Sequence, residues 1–268
     1  MDLHLQRQHV LITGGSRGIG LACAHQFLAE GAVVTLVGRD LQQLGWAKAH
    51  LLQSFSDRTA DIHTHSADLR DPAAALTMLE AVQAASALGP VDVLVNCAGA
   101  AKRTPPAELN PGVWQEALQA KFFAYINVID PLIKQFAARK HGAIVNVVGM
   151  GGKVASPIHL PGGSANAALM LASAGLANAY AAQGVRVNVV NPALTHTERL
   201  AEGMAAEAKL QGITPQEALE KANQRIPMGR IAEPQEVANA VVFLASARAS
   251  YINGAILSLD GALTPLVV

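Results

Sequence analysis

Seven short runs rich in β-branched and aliphatic residues recur along this 268-residue chain, and they restrict the fold more than any other feature. They are His9–Thr13, Ala32–Val37, Asp61–Ala67, Val91–Asn96, Ala143–Val148, Val185–Val190 and Ala255–Leu259. Most are apolar at nearly every position instead of alternating, so each strand needs cover on both faces. Longer helical patterns separate them. Strands alternating with helices in this way lead to a parallel, doubly wound α/β sheet of Rossmann type with right-handed crossovers. No repeat, low-complexity tract or linker divides the chain, and its length suits one α/β domain spanning residues 1–268. The segment Thr195–Arg225 breaks the rhythm: it is polar and helix-prone, and is expected to form a lid over the site.

Composition narrows the partners. Lys plus Arg and Asp plus Glu number 20 each, so no global field favours nucleic acid or an anionic membrane, and a neutral small-molecule site is the expectation. No uninterrupted apolar run reaches the roughly 18 residues of a membrane span. Met1 to His9 is polar, without the apolar core of a signal peptide, and a cytoplasmic location is expected. The two cysteines, Cys23 and Cys97, lie in apolar segments and read as buried, reduced thiols. His63 and His65 share a strand face but have no third ligand nearby in sequence, so no metal is expected.

The first strand runs directly into Thr13-Gly14-Gly15-Ser16-Arg17-Gly18-Ile19-Gly20, followed by the apolar helix Leu21–Ala29. Glycines let backbone turn tightly against a pyrophosphate, while free N–H groups and the helix dipole attract its charge. This strand, turn and helix form a dinucleotide-binding signature. After the second strand, an acidic side chain would hold the ribose 2′-hydroxyl of NAD, but the chain reads Val37-Gly38-Arg39-Asp40. Gly38 offers no carboxylate, and Arg39 with Arg17 offers two guanidinium groups for a 2′-phosphate. NADP(H) is therefore favoured over NAD(H), with Asp40 as a competitor for Arg39.

These residues resemble the short-chain dehydrogenase/reductase family over nearly the whole chain. Thr13–Gly20 is similar to its TGxxxGxG turn, Asp68-Leu69 to its adenine-side pair, and Asn96-Cys97-Ala98-Gly99 to its NNAG motif. Asn191-Pro192-Ala193-Leu194-Thr195-His196-Thr197 looks like its PG-x-x-x-T stretch, while Ile226–Arg230 and Asp260-Gly261 resemble its C-terminal tail. The resemblance implies sheet order 3-2-1-4-5-6-7, commonly a homotetramer, and hydride transfer between NAD(P)H and a carbonyl or alcohol. It also implies cofactor contacts from Gly14, Ser16, Arg17, Gly18, Ile19, Gly20, Arg39, Asp68, Leu69, Asn96, Ala98, Gly99, Asn166, Pro192, Thr195 and Thr197. The expected contact faces between subunits are the helices Pro111–Arg139 and Gly163–Gln183.

The family's catalytic residues do not carry over. Its acid is a Tyr four residues before a Lys, whereas Tyr125, Tyr180 and Tyr251 precede Ile129, Gly184 and Ala255 at that distance. Anchored on Gly142–Asn146 and Ala167-Ala168-Leu169, the register puts Gly162 at the Tyr position, Asn166 at the Lys position and Gly149 at the Ser position. Lys121 stands where the family has Asn. The Tyr supplies a proton, the Lys lowers its pKa, and the Ser hydrogen-bonds the carbonyl; glycine does none of these. Replacement candidates are Lys121, as acid or electrostatic clamp, and Ser164 and His159 near the missing Tyr. Lys121 could instead pair with Glu116. The run Gly149–Gly152 either makes room for a substrate and exposes N–H groups or is a flexible loop. Two classes of function stay open: an NADP(H)-dependent oxidoreductase with altered catalytic groups, and an NADP(H)-binding protein without redox activity, such as a sensor, a partner subunit or a scaffolded non-redox enzyme.

Overall fold

The computed structural model describes residues 1–85, 88–99 and 102–266. The elements in chain order are β1 His9–Thr13, α1 Gly18–Ala29, β2 Val33–Gly38, α2 Leu41–Ser54, β3 Ile62–Ser66, α3 Pro72–Ala84, β4 Val93–Asn96 and α4 Pro111–Ala117. They continue with α5 Ala124–Arg139, β5 Gly142–Val147, α6 Leu160–Tyr180, β6 Val185–Pro192, α7 Glu198–Gln211, α8 Pro215–Arg225, α9 Pro234–Ala245 and β7 Ile256–Leu259. The strands form one seven-stranded sheet in the order β3-β2-β1-β4-β5-β6-β7, and every pairing is parallel. All seven expected runs are strands, β1 with the expected bounds and the others with ends displaced by at most two residues.

Two apolar layers cover the sheet. On one face α1, α2 and α9 bring Phe27, Leu44 and Val241 onto Val10, Val34 and Val145. On the other, α3, α5 and α6 bring Met78, Ile129, Phe136 and Leu169 onto Leu11, Leu94 and Ile144. A strand buried on both sides cannot alternate, which is why β1 reads HVLIT. Polar side chains fix the helix starts: Asp40 accepts from the backbone N–H groups of Gln42 and Gln43, and Thr214 and Glu217 form a capping box on α8. Asp40 therefore serves α2 and does not compete for Arg39.

The helix expected over Pro111–Arg139 is not uniform. Between α4 and α5 the residues Leu118–Phe123 form a π-helical turn. Extra residues of this kind occur often at functional sites, because they turn side chains out of the regular helical register. The second expected contact helix begins earlier than anticipated, at Leu160, and ends at Tyr180, followed by a 3₁₀ turn over Ala181–Gln183.

A buried polar chain crosses the middle of the sheet. Thr13 Oγ1 donates to Asn96 Oδ1 at 3.0 Å, Asn96 Nδ2 to Asn146 Oδ1 at 2.9 Å, Asn146 Nδ2 to Ser173 Oγ at 2.9 Å, and Ser173 Oγ to the Leu169 carbonyl at 2.6 Å. Buried polar groups of this kind are tolerated when each finds a partner. The chain locks β1, β4, β5 and α6 in register just below the carboxyl ends of the strands, where open α/β sheets bind ligands.

Candidate active site

The order of the sheet reverses between β1 and β4, and the crevice at that point is walled by glycine. Gly14, at φ +67°, lies so close to the next strand that a Cβ on it would stand 2.8 Å from the Ala98 backbone; a Cβ on Gly20 would stand 2.2 Å from the Gly14 carbonyl. The start of α1 has no side-chain cap, so its first N–H groups remain for an anion. The Thr197 methyl lies 3.3 Å from where a Cβ on Gly18 would be, which closes the start of α7 over the turn. Thr195 Oγ1 is buried without a hydrogen-bond partner. Among the described residues, this unfilled hydroxyl and the glycine cradle fit a dinucleotide.

Beside the glycine turn lies the corner after β2. Ser16 Oγ lies 3.5 Å from the Cβ position of Gly38, which places Ser16 beside the Gly38-Arg39 corner. Arg39 is exposed and forms no ion pair among the described residues. Arg17 reaches Glu198 at 2.9 Å, a bridge between two half-exposed side chains that contributes little to stability. Asp68 is held by Arg70 at 2.5 Å, and this bond lowers the carboxyl pKa.

Two of the residues expected to meet the cofactor have side chains that belong to the interior. Asn96 is fully buried, with both ends of its amide engaged by Thr13 and Asn146, so its side chain holds the strand end in place. Leu69 is 6% exposed and belongs to the core; its carbonyl accepts from Asn127 Nδ2. Pro192 ends β6 and is buried, and Ala98 N–H lies 3.4 Å from Thr13 Oγ1.

Lys121 lies in the π-helical turn. Gly99, at φ +87°, lets the loop after β4 lie against this turn, and a Cβ there would meet the Ala120 carbonyl at 2.2 Å. Lys121 Nζ donates to Tyr125 Oη at 2.7 Å and to the Val147 carbonyl at 3.1 Å; Tyr125 Oη donates to the same carbonyl at 2.8 Å. Burial, reinforced by the Arg199 charge, lowers the Lys121 pKa to about 7. The amine keeps some solvent access, which a group exchanging protons needs. Lys121 does not pair with Glu116, whose carboxylate faces Lys102 at 3.4 Å. Tyr125, dismissed on spacing to a lysine four residues later, is fully buried and is the partner of the lysine four residues before it.

Around this pair lie Gly149, Asn166 and His159. Asn166 Nδ2 stands 3.3 Å from the Cβ position of Gly149 and 3.7 Å from that of Gly151, and the His159 ring stands 3.0 Å from the latter. Gly162 and Asn166 are both buried on one face of α6. Ser164, 200° around the helix from each, is exposed, so the structure does not bring it to the site. His159 flanks the start of α6 with its Nδ1 buried and unpartnered; burial, then Arg103, Arg199 and Lys121, lowers its pKa. Gly149–Gly152 is not an open loop: Met150–Gly152 is a 3₁₀ turn, and a Cβ on Gly152 would meet Met170 Cε at 2.2 Å. Among the described residues no His, Cys, Asp and Glu group could hold a metal, and no helix is long and apolar enough to cross a membrane.

Known proteins share this architecture. The family described as enoyl-(acyl carrier protein) reductase matches residues 14–264. A 3alpha-hydroxysteroid dehydrogenase of Mediterraneibacter gnavus is 32% identical over 266 residues, 98% of this chain and 99% of that protein. The crystal structure of L-sorbose reductase from Gluconobacter frateurii complexed with NADPH and L-sorbose is 29% identical and superposes with a TM-score of 0.90 over 100% of both chains. An NADPH-bound short chain oxidoreductase from Pseudomonas aeruginosa, described as containing an atypical catalytic center, is 30% identical with a TM-score of 0.87 over 98% of this chain and 99% of that one. On sequence and architecture together, the chain belongs to the short-chain dehydrogenase/reductase family.

Proposed function

We propose that the protein is an NADP(H)-dependent oxidoreductase acting on a carbonyl or alcohol, with Lys121 in place of the family's tyrosine as the group that gives and takes the proton. The observation that carries this reading is the environment of Lys121 Nζ. An ammonium has three N–H donors; Tyr125 and Val147 engage two, and one is left for a substrate oxygen. A pKa of about 7 suits a group that must both donate and accept near neutrality.

A bound nicotinamide supplies or accepts the hydride. Reduction then places hydride on the carbonyl carbon, moves the C=O electron pair onto oxygen, and takes one proton from Lys121, which becomes a neutral amine. Oxidation runs the same balance backwards. Gly149 and Gly162 contribute no functional group, so Lys121 also carries the stabilisation of charge on oxygen, and Asn166 offers an uncharged amide where a ribose or substrate hydroxyl could bind. Ser16, Arg17 and Arg39 favour the 2′-phosphate of NADP(H), and α7 with α8 acts as the lid.

The test compares wild type with Lys121→Met, following nicotinamide absorbance with NADPH across a panel of ketones, aldehydes and imines. The variant should keep NADPH binding and lose about 10²–10⁴-fold in kcat. For the wild type, kcat should fall as pH rises through about 7 in reduction, because the ammonium is the donor, and rise through the same value in oxidation. NADPH that binds but is never consumed would instead point to a non-redox role.

A further inference from the structure

The site holds more positive charge than proton transfer uses. Several arginines of the protein are neutralised: Arg58 by Asp61 at 2.7 Å, Arg70 by Asp68 at 2.5 Å, and Arg230 by Glu236 at 2.6 Å. Arg199, in the first turn of α7, is not. Its one hydrogen bond among the described residues runs from Nη1 to the Gly99 carbonyl at 3.2 Å. It is exposed, and the protein packed around it still lowers its pKa by desolvation, which Glu202 opposes without reaching ion-pair distance. Arg103, on the loop after β4, approaches the same helix: its Nη2 lies 3.2 Å from the Cβ position of Gly203 and its Nη1 3.6 Å from Glu207. His159 feels Arg103, Arg199 and Lys121 together, and Lys121 feels Arg199. Arg199, through Gly99, and Arg103 thus meet at the start of α7 beside the turn that carries Lys121, with Glu202 and Glu207 as counter-charges. An uncompensated guanidinium beside a proton donor is a receptor for an anion, because partial desolvation strengthens a charge-assisted, bidentate contact.

We infer that Arg199, with Arg103 beside it, binds an anionic group, carboxylate or phosphate, carried by the substrate a few atoms from the carbonyl that Lys121 serves. This rests on the reductase reading above. The same chemistry could serve a phosphate of the cofactor, since Arg17 also lies near enough to lower the Arg199 pKa.

The experiment uses a matched pair of probes, acetoacetate and its methyl ester, with saturating NADPH. The wild type should favour the acid in kcat/KM by at least about tenfold, and Arg199→Gln should erase about 10–100-fold of that ratio, the worth of one charge-assisted contact, while Arg199→Lys keeps part of it. The readout is the ratio, because removing the charge also changes Lys121. If Arg199→Gln weakens NADPH binding and leaves the ratio intact, Arg199 serves the cofactor and the inference fails. Malonate and inorganic phosphate, titrated calorimetrically into the NADP⁺-loaded wild type and Arg199→Gln, give a second arm that needs no turnover. Binding of malonate that Arg199→Gln abolishes, without consumption of NADPH by any carbonyl, would sink the reductase reading and keep the anion site. An unselective wild type that binds neither anion overturns the inference.

Discussion

Lys121 is where single-residue chemistry decides most. In the unfolded chain its amine titrates near 10.5, and in the folded protein near 7. Between those values the unfolded state binds more protons, so stability rises with pH across that window, and the penalty is present in full below about 7. Lys121→Met removes the titration. The difference in unfolding free energy, wild type minus variant, should therefore climb by up to on the order of 5 kcal/mol from pH 7 to 10.5, read by denaturant melts at several pH values. A flat difference would mean that solvent reaches the amine freely. Tyr125 tests the same group from its other side. Its hydroxyl accepts from the ammonium, which favours the charged form, so Tyr125→Phe should move the reduction profile to lower pH by under about one unit, the worth of one hydrogen bond. If Tyr125 only fills space, phenylalanine keeps its volume and the profile stays where it was. Sequence reading found Lys121 through alignment of motifs, but it missed Tyr125, because a helical neighbour four residues away says nothing about which carbonyl both side chains share.

At the scale of elements, two features separate what was legible from what was not. The run Pro111–Arg139 reads as one helix, since a π-helical turn changes register by one residue without changing composition. What favours it is tertiary: the Gly99 backbone packed on the Ala120 carbonyl. The span Thr195–Arg225, by contrast, announces itself by polarity, and it folds into α7 and α8. These helices share a small apolar cluster, Met204, Ala208 and Ala218, apart from the two sheet cores. Among the described residues their side-chain ties to the body include Arg17 to Glu198 at 2.9 Å, Arg103 to Glu207 at 3.6 Å, Arg199 to Gly99, and the Ile231 N–H to Asn223 Oδ1 at 3.1 Å. Exposed bridges of this kind contribute about 0–1 kcal/mol each, so this pair of helices should open far more often than the sheet. Amide hydrogen exchange should be fast over residues 198–225 and slow over β1, β4 and β5, and NADPH should slow it in α7 selectively. Equal protection of lid and sheet without ligand would argue that no lid opens.

For the molecule as a whole, the sheet was readable because burying strands on both faces writes continuous apolar runs into the sequence, and right-handed crossovers leave few ways to connect them. The crevice was readable because glycine is the residue whose absence of Cβ lets β1, α1 and the loop after β4 approach closely. The approach of Arg103 to α7 was not, since the two segments lie far apart in sequence and come together only on folding. Cofactor choice lies between these cases: Arg17 and Arg39 are visible in sequence, and the structure adds Ser16 beside Gly38. Because a ligand that binds only the folded state stabilises it by mass action, NADPH at about 100 times its Kd adds roughly 2.7 kcal/mol. For a chain of this size that is a rise of about 5–10 °C in Tm. NADH at the same concentration should give a clearly smaller rise, and Arg39→Asp should remove the difference by repelling the 2′-phosphate and offering its carboxylate to a 2′-hydroxyl. Equal shifts for both cofactors in the wild type would show that Arg39 and Arg17 stay in solvent, and that the phosphate turn alone sets affinity.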